Sequence, residues 1–69
     1  MIKVDTRGLS CPEPVMLTQD AIRAHKGEEI CVLTDAGHSR TNIEKMLGKL
    51  GIEPNTVEKG SEFEITFTA

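Results

Sequence analysis

Cys11-Pro12-Glu13-Pro14 places a thiol where an apolar run with helical spacing begins. A helix start offers backbone N–H groups with no intrahelical acceptor and the positive end of the helix dipole, and both favour thiolate over thiol. The thiolate is the nucleophilic form, so the chemistry this position predicts is exchange at sulfur. Proline holds φ near a helical value and tolerates the first turn, which puts Pro12 at the first helical position. The residue before a proline is driven toward extended backbone, the geometry of an N-cap, so Cys11 is expected to cap the helix. Pro12 and Pro14 carry no N–H, which leaves the amides of Glu13 and Val15 as the donors expected near the sulfur. Arg7, four residues upstream, adds positive charge, and Glu13 opposes it.

The competing reading is a small, inert, buried thiol beside a helix start, the state of most free cysteines. Against it, an N-cap does not lie deep in a core, and Thr6-Arg7-Gly8-Leu9-Ser10 reads as a surface loop. The second cysteine, Cys31, falls inside the strand-like run Ile30-Cys31-Val32-Leu33 and reads as packing. A spacing of twenty positions matches neither a C-x-x-C redox pair nor a zinc motif. A cysteine–histidine enzyme would draw its base from His25 or His38. His25 belongs to the far end of the same helix, about 20 Å away at 1.5 Å per residue, whereas His38 stays open. With Cys11, Cys31, His25 and His38 dispersed, no metal site is expected, and no cofactor is expected either.

The chain has 69 residues and a net charge of −3, which bounds it to one small domain, 1–69, with little room to enclose a substrate. Aromatics are limited to Phe63 and Phe67, so neither a phosphate-tracking surface nor a base-stacking platform is expected and direct nucleic-acid binding is disfavoured. No charged segment followed by an apolar stretch opens the chain, and no run is long enough to span a bilayer, so no membrane insertion and a reducing cytoplasm are the expectation.

Several elements must position the thiol. Ile2 and Val4 alternate with Lys3 and Asp5, predicting a strand with one buried face, and Gly8 ends the pattern. From Pro12 to about Lys26, the residues Pro14, Val15, Leu17, Ala21, Ile22 and Ala24 share one helical arc, with Gln19, Asp20, Arg23 and Lys26 opposite and Gly27 as the stop. Met16 projects among the polar residues one turn beyond Cys11, as either a docking contact for a partner protein or an incidental surface residue. Glu29 to Thr34 predicts the second strand. Ile43, Met46, Leu47 and Leu50 predict a second helix, with a capping box of Thr41 and Glu44, or Asp35 or Ser39 capping an earlier start. Gly48 within it implies close helix packing. Glu53 to Lys59 and Ser61 to Thr68 predict a hairpin with a type II′ turn at Gly60-Ser61. The order is βαβαββ. Right-handed crossovers then give an α/β (α+β) two-layer sandwich, a four-stranded mixed sheet with two helices on one face. Lys45, Lys49 and Arg40 on the outer face of the second helix read as a solvated surface or a partner patch. The acidic Glu28, Glu29, Glu53, Glu58, Glu62 and Glu64 carry the same two readings.

The run Asp5-Thr6-Arg7-Gly8-Leu9-Ser10-Cys11-Pro12-Glu13-Pro14-Val15, in a chain of this length and element order, resembles the TusA/SirA-like sulfur-carrier proteins with their C-P-x-P motif. The resemblance covers essentially the whole chain. It implies a βαβαββ sandwich, a persulfide carried on Cys11, a cysteine desulfurase or other protein as sulfur donor, and a second protein as acceptor. In some relatives the sulfur goes toward transfer RNA thiolation. Others act in sulfur oxidation, accompany a thiosulfate transporter, or are linked to selenium metabolism, and the segment from Leu33 to Gly51 looks more like the selenium-linked type. Ser10 stands where some relatives have a basic residue. A redox or regulatory thiol module remains the alternative on the same site.

Overall fold

The computed structural model describes residues 1–10 and 12–69. Within them the elements run β1 (Ile2–Asp5), α1 (Glu13–Ala24), β2 (Glu29–Thr34), α2 (Gly37–Lys49), β3 (Asn55–Lys59) and β4 (Glu62–Thr68). The strands lie in the order β1-β2-β4-β3, with β1 parallel to β2 and the β2–β4 and β4–β3 pairs antiparallel. This is the four-stranded mixed sheet and two-layer α+β sandwich expected from periodicity.

Strand alternation decides which face the helices cover. The register sets Ile2 beside Ile30, Val4 beside Val32, Val32 beside Ile65 and Ile30 beside Phe67, making one face apolar. Ile22 of α1 and Ile43 and Leu47 of α2 complete the buried cluster on that face. Each such aliphatic side chain contributes about 1.5–3 kcal/mol by leaving water. The other face carries Lys3, Asp5, Glu29, Lys59, Glu62 and Glu64 by the same alternation. Cys31 shares this second face, between Lys3 and Thr66. It is 5% exposed, so it packs as expected, but it does so outside the helix-side cluster.

Several local expectations are corrected. The first i to i−4 bond of α1 runs from the Met16 amide to the Pro12 carbonyl at 3.0 Å, so Pro12 is the N-cap and not the first helical residue. Pro14, Thr18 and Ile22 form the buried line of α1, and Leu17 turns outward with 38% exposure. The Thr18 hydroxyl reaches inward at no polar cost because it donates to the Pro14 carbonyl at 2.8 Å. Helix α2 starts at Gly37, four residues before Thr41, and Ala36 caps it without a side-chain bond. Thr41 instead donates back to the Gly37 carbonyl at 3.0 Å, so there is no Thr41–Glu44 capping box. Gly48 is exposed, and a Cβ there would meet nothing within 4 Å, so close packing does not explain it. Gly60, with φ of +61°, leads the two-residue turn between Lys59 and Glu62, as a type II′ hairpin requires.

Candidate functional site

The segment leading to the C-P-x-P tetrad is a pinned turn. The Leu9 amide donates to the Thr6 carbonyl at 3.2 Å, and Gly8 occupies the third turn position with φ of +80°, a backbone that strains any other L residue. Thr6 is fully buried and sends both its amide (2.8 Å) and its hydroxyl (2.6 Å) to the Leu33 carbonyl of β2. The Gly8 amide donates to Asp35 Oδ2 at 3.0 Å, which fastens the turn to the β2–α2 connection. Asp35 is therefore not a helix cap. Its carboxylate stiffens the approach to the tetrad from the end of the neighbouring strand.

Arg7 supplies the third tie. Its Nε and Nη2 meet the two oxygens of Asp5 at 2.9 and 2.8 Å, its amide donates to Asp5 Oδ1 at 3.1 Å, and its Nη1 reaches the Glu62 carboxylate at 3.3 Å. These hydrogen bonds from Arg7 hold the Asp5 carboxyl at about 2, below the usual carboxylate range. The Asp5 and Glu62 carboxylates in turn raise the pKa of the guanidinium. The forked geometry links the end of β1 to the start of β4 across the end of β2. Arg7, expected to add positive charge beside the sulfur, thus has that charge shared between two carboxylates.

Past the turn, the Glu13 amide donates to the Ser10 carbonyl at 3.0 Å, closing one more turn just before α1. That donor, expected to face the sulfur, is already engaged. Cys11 itself lies outside the described residues. Its neighbours Ser10 and Pro12 are exposed, as is Glu13, whereas Pro14 is buried and wedges the first helical turn against the core. Met16 is 54% exposed one turn on, next to the outward Leu17.

His25 ends α1 at its far end and pairs with Glu28 at 3.0 Å, away from the tetrad. His38 is exposed in the first turn of α2. Among the described residues, no group of three or more His, Cys, Asp or Glu is placed to hold a metal ion, and no helix is long and apolar enough to cross a membrane. Arg40, read as an outer-face cation, is half-buried: its guanidinium stacks 5.1 Å from the Phe63 ring centroid and pairs with Glu44 at 2.9 Å.

Sequence reasoning missed Thr6 and Asp35 as the residues that position the turn. Their signal was present but ambiguous, since a threonine after a strand and an aspartate before a helix serve equally as turn or cap residues.

Comparison with known proteins bears on this arrangement. The family described as Sulfurtransferase TusA matches residues 2–69. Among solved structures, the SirA-like protein from Desulfitobacterium hafniense is similar at 33% identity, with a TM-score of 0.92 over 100% of this chain and 97% of that one. No curated protein matches the chain. A sulfurtransferase profile spanning both layers of the sandwich, together with a crystal structure that superposes throughout, leaves one assignment: the chain belongs to the TusA sulfurtransferase family.

Proposed function

We propose that this protein is a sulfur carrier that accepts a sulfane sulfur on Cys11 from a donor protein and passes it to an acceptor protein. The observation that carries the reading is the pinned, exposed entry to α1, tied to Leu33, Asp35 and Glu62, in a chain of a sulfur-transfer family. In the first transfer, the Cys11 thiolate attacks the terminal sulfur of a donor persulfide. A new S–S bond forms on Cys11, the donor's S–S bond breaks, and the donor thiolate departs with that electron pair. The return step repeats this with the acceptor thiolate as nucleophile and Cys11 as leaving group, so no outside oxidant or reductant is consumed. A free thiol with a pKa of about 8.5 is mostly protonated at neutral pH, so the helix amino end assists by enlarging the thiolate fraction.

Pro12 and Pro14 stiffen the first turn, and Arg7 acts through the turn it holds. Met16 and Leu17 supply apolar contact for a partner. Transfer RNA thiolation, sulfur oxidation, thiosulfate use and selenium-linked routes all share this relay step, and a cytoplasmic setting suits its free thiol. The test is incubation with a cysteine desulfurase and cysteine, followed by mass spectrometry. A reducible one-sulfur adduct is expected on Cys11, absent from Cys11→Ser and retained in Cys31→Ser, whose thiol is buried. An adduct on Cys31, or none on wild type, overturns the reading.

A further inference from the structure

We propose that the groove between α1 and α2 is the docking track for an acidic, amphipathic segment of the sulfur-exchanging partner, an inference that rests on the carrier reading above. The groove runs from Pro12 and Val15, beside the tetrad, to Lys26 and Leu50 at the other end, and Gln19, Met46 and Lys49 line both halves. Its floor is apolar, with Leu50 56% exposed. Its rims carry Arg23 and Lys26 on one side and Lys45 and Lys49 on the other.

Those cations are four of the eight Lys and Arg in a chain of net charge −3, and no acidic residue lines the groove among the described residues. Arg23 pairs with Asp20, but Lys26, Lys45 and Lys49 have no ion-pair partner among the described residues. Elsewhere Arg7, Arg40 and Lys59 are paired, and Lys3, on the open sheet face, is the one other lysine or arginine without an ion-pair partner among the described residues. Unpaired like charges kept together above apolar surface repel one another, and incoming carboxylates relieve that repulsion while steering the encounter.

The floor selects a protein segment over a bare polyanion, because apolar side chains need apolar partners. The only aromatics, Phe63 and Phe67, sit in β4, so the groove has no platform for stacking bases. Helix α1 has 12 residues, about 18 Å at 1.5 Å per residue, enough for about three turns of a partner helix laid alongside. One sulfur atom must serve both receipt and delivery, so donor and acceptor approach from the same side.

The test loads wild type and Lys45→Glu/Lys49→Glu in parallel from a cysteine desulfurase with cysteine and from glutathione persulfide, reading persulfide on Cys11 by mass spectrometry. Loading of the variant from the protein donor is expected to fall about tenfold, and from glutathione persulfide to stay within about twofold, because only the first requires docking. Added salt slows only the protein-donor route in wild type. Lys3→Glu/Lys59→Glu, on the open sheet face, keeps both routes within about twofold. Wild-type rates from the protein donor in the groove variant, or an equal loss in the sheet-face control, overturn the docking proposal and leave the carrier reading standing. Failure of wild type to load from either donor overturns the carrier reading and docking together. Tight binding of single-stranded RNA by wild type, lost in the groove variant while loading persists, reassigns the groove to nucleic acid and overturns the proposal.

Discussion

On the open face of the sheet Arg7 and Lys59 are paired with carboxylates and only Lys3 is not, whereas along the α1–α2 groove three neighbouring lysines have no ion-pair partner among the described residues. Arg7 is shared by Asp5 and Glu62, and Lys59 meets Glu64 at 3.2 Å across the β3–β4 ladder. The open face also presents Thr66, Thr68 and the partly exposed Val57 between its charges. The groove combines exposed Leu50 and half-buried Met46 with Lys26, Lys45 and Lys49. The sheet side therefore pairs its cations apart from Lys3, whereas beyond the helices three of four groove cations have no carboxylate partner among the described residues. The difference teaches that net charge is a poor guide to partners here: an acidic chain presents a basic groove that begins at Pro12 of the tetrad.

Breaking the shared foundation gives the largest effect. Leu47 is fully buried between α2 and the sheet, so Leu47→Ala is expected to cost about 3 kcal/mol and to degrade both faces at once. A urea titration with a proportionate fall in midpoint checks this, and a change below about 1 kcal/mol would show that the core does not connect the two faces. A smaller effect of opposite sign sharpens the picture of the groove rim. Gly48 lies in the helix beside Lys49 with open space around it, so Gly48→Ala is expected to raise stability by about 0.5–1 kcal/mol, read as a higher thermal midpoint. The smallest effect belongs to the exposed Asp5–Arg7–Glu62 link. Asp5 is depressed from 3.8 to about 2, so its contribution is complete above pH 4 and lost as pH falls through about 2. An NMR titration of the Asp5 carboxyl should find its midpoint near 2, returning toward the ordinary value in Arg7→Gln.

Much of this architecture was legible because alternation and helical spacing are local properties. The alternation of Phe63, Ile65 and Phe67 with Glu62, Glu64 and Thr66 announced a one-sided strand, and it pairs as such. Gly60-Ser61 announced its turn. The misreadings of Thr41 and Asp35 share a cause that also left Thr18 unread: these are polar residues whose partners could not be chosen without neighbours. Thr18 and Thr41 satisfied themselves on the preceding helical turn, and Asp35 crossed to Gly8. Leu17 was placed inside on hydrophobicity, but the buried line of α1 runs through Pro14, Thr18 and Ile22 at four-residue steps. For the site, the position of Pro12 and Pro14 at the start of α1 was readable, whereas Pro12 as the N-cap and the commitments of Arg7 and of the Glu13 amide were not.

From residue types and spacing alone follow the βαβαββ order, the apolar face of the sheet and the thiol before a proline-marked helix. Each depends on chain-local geometry, namely a period, a fixed φ or a missing N–H. Tertiary structure alone decided that Asp35 and Glu62, distant in sequence, stiffen the turn at Gly8 and Arg7. It also decided that Lys26 and Lys49 face one another across a groove. Hydrogen bonds and charges act through space between whatever groups the fold brings near, and no spacing along the chain encodes that proximity.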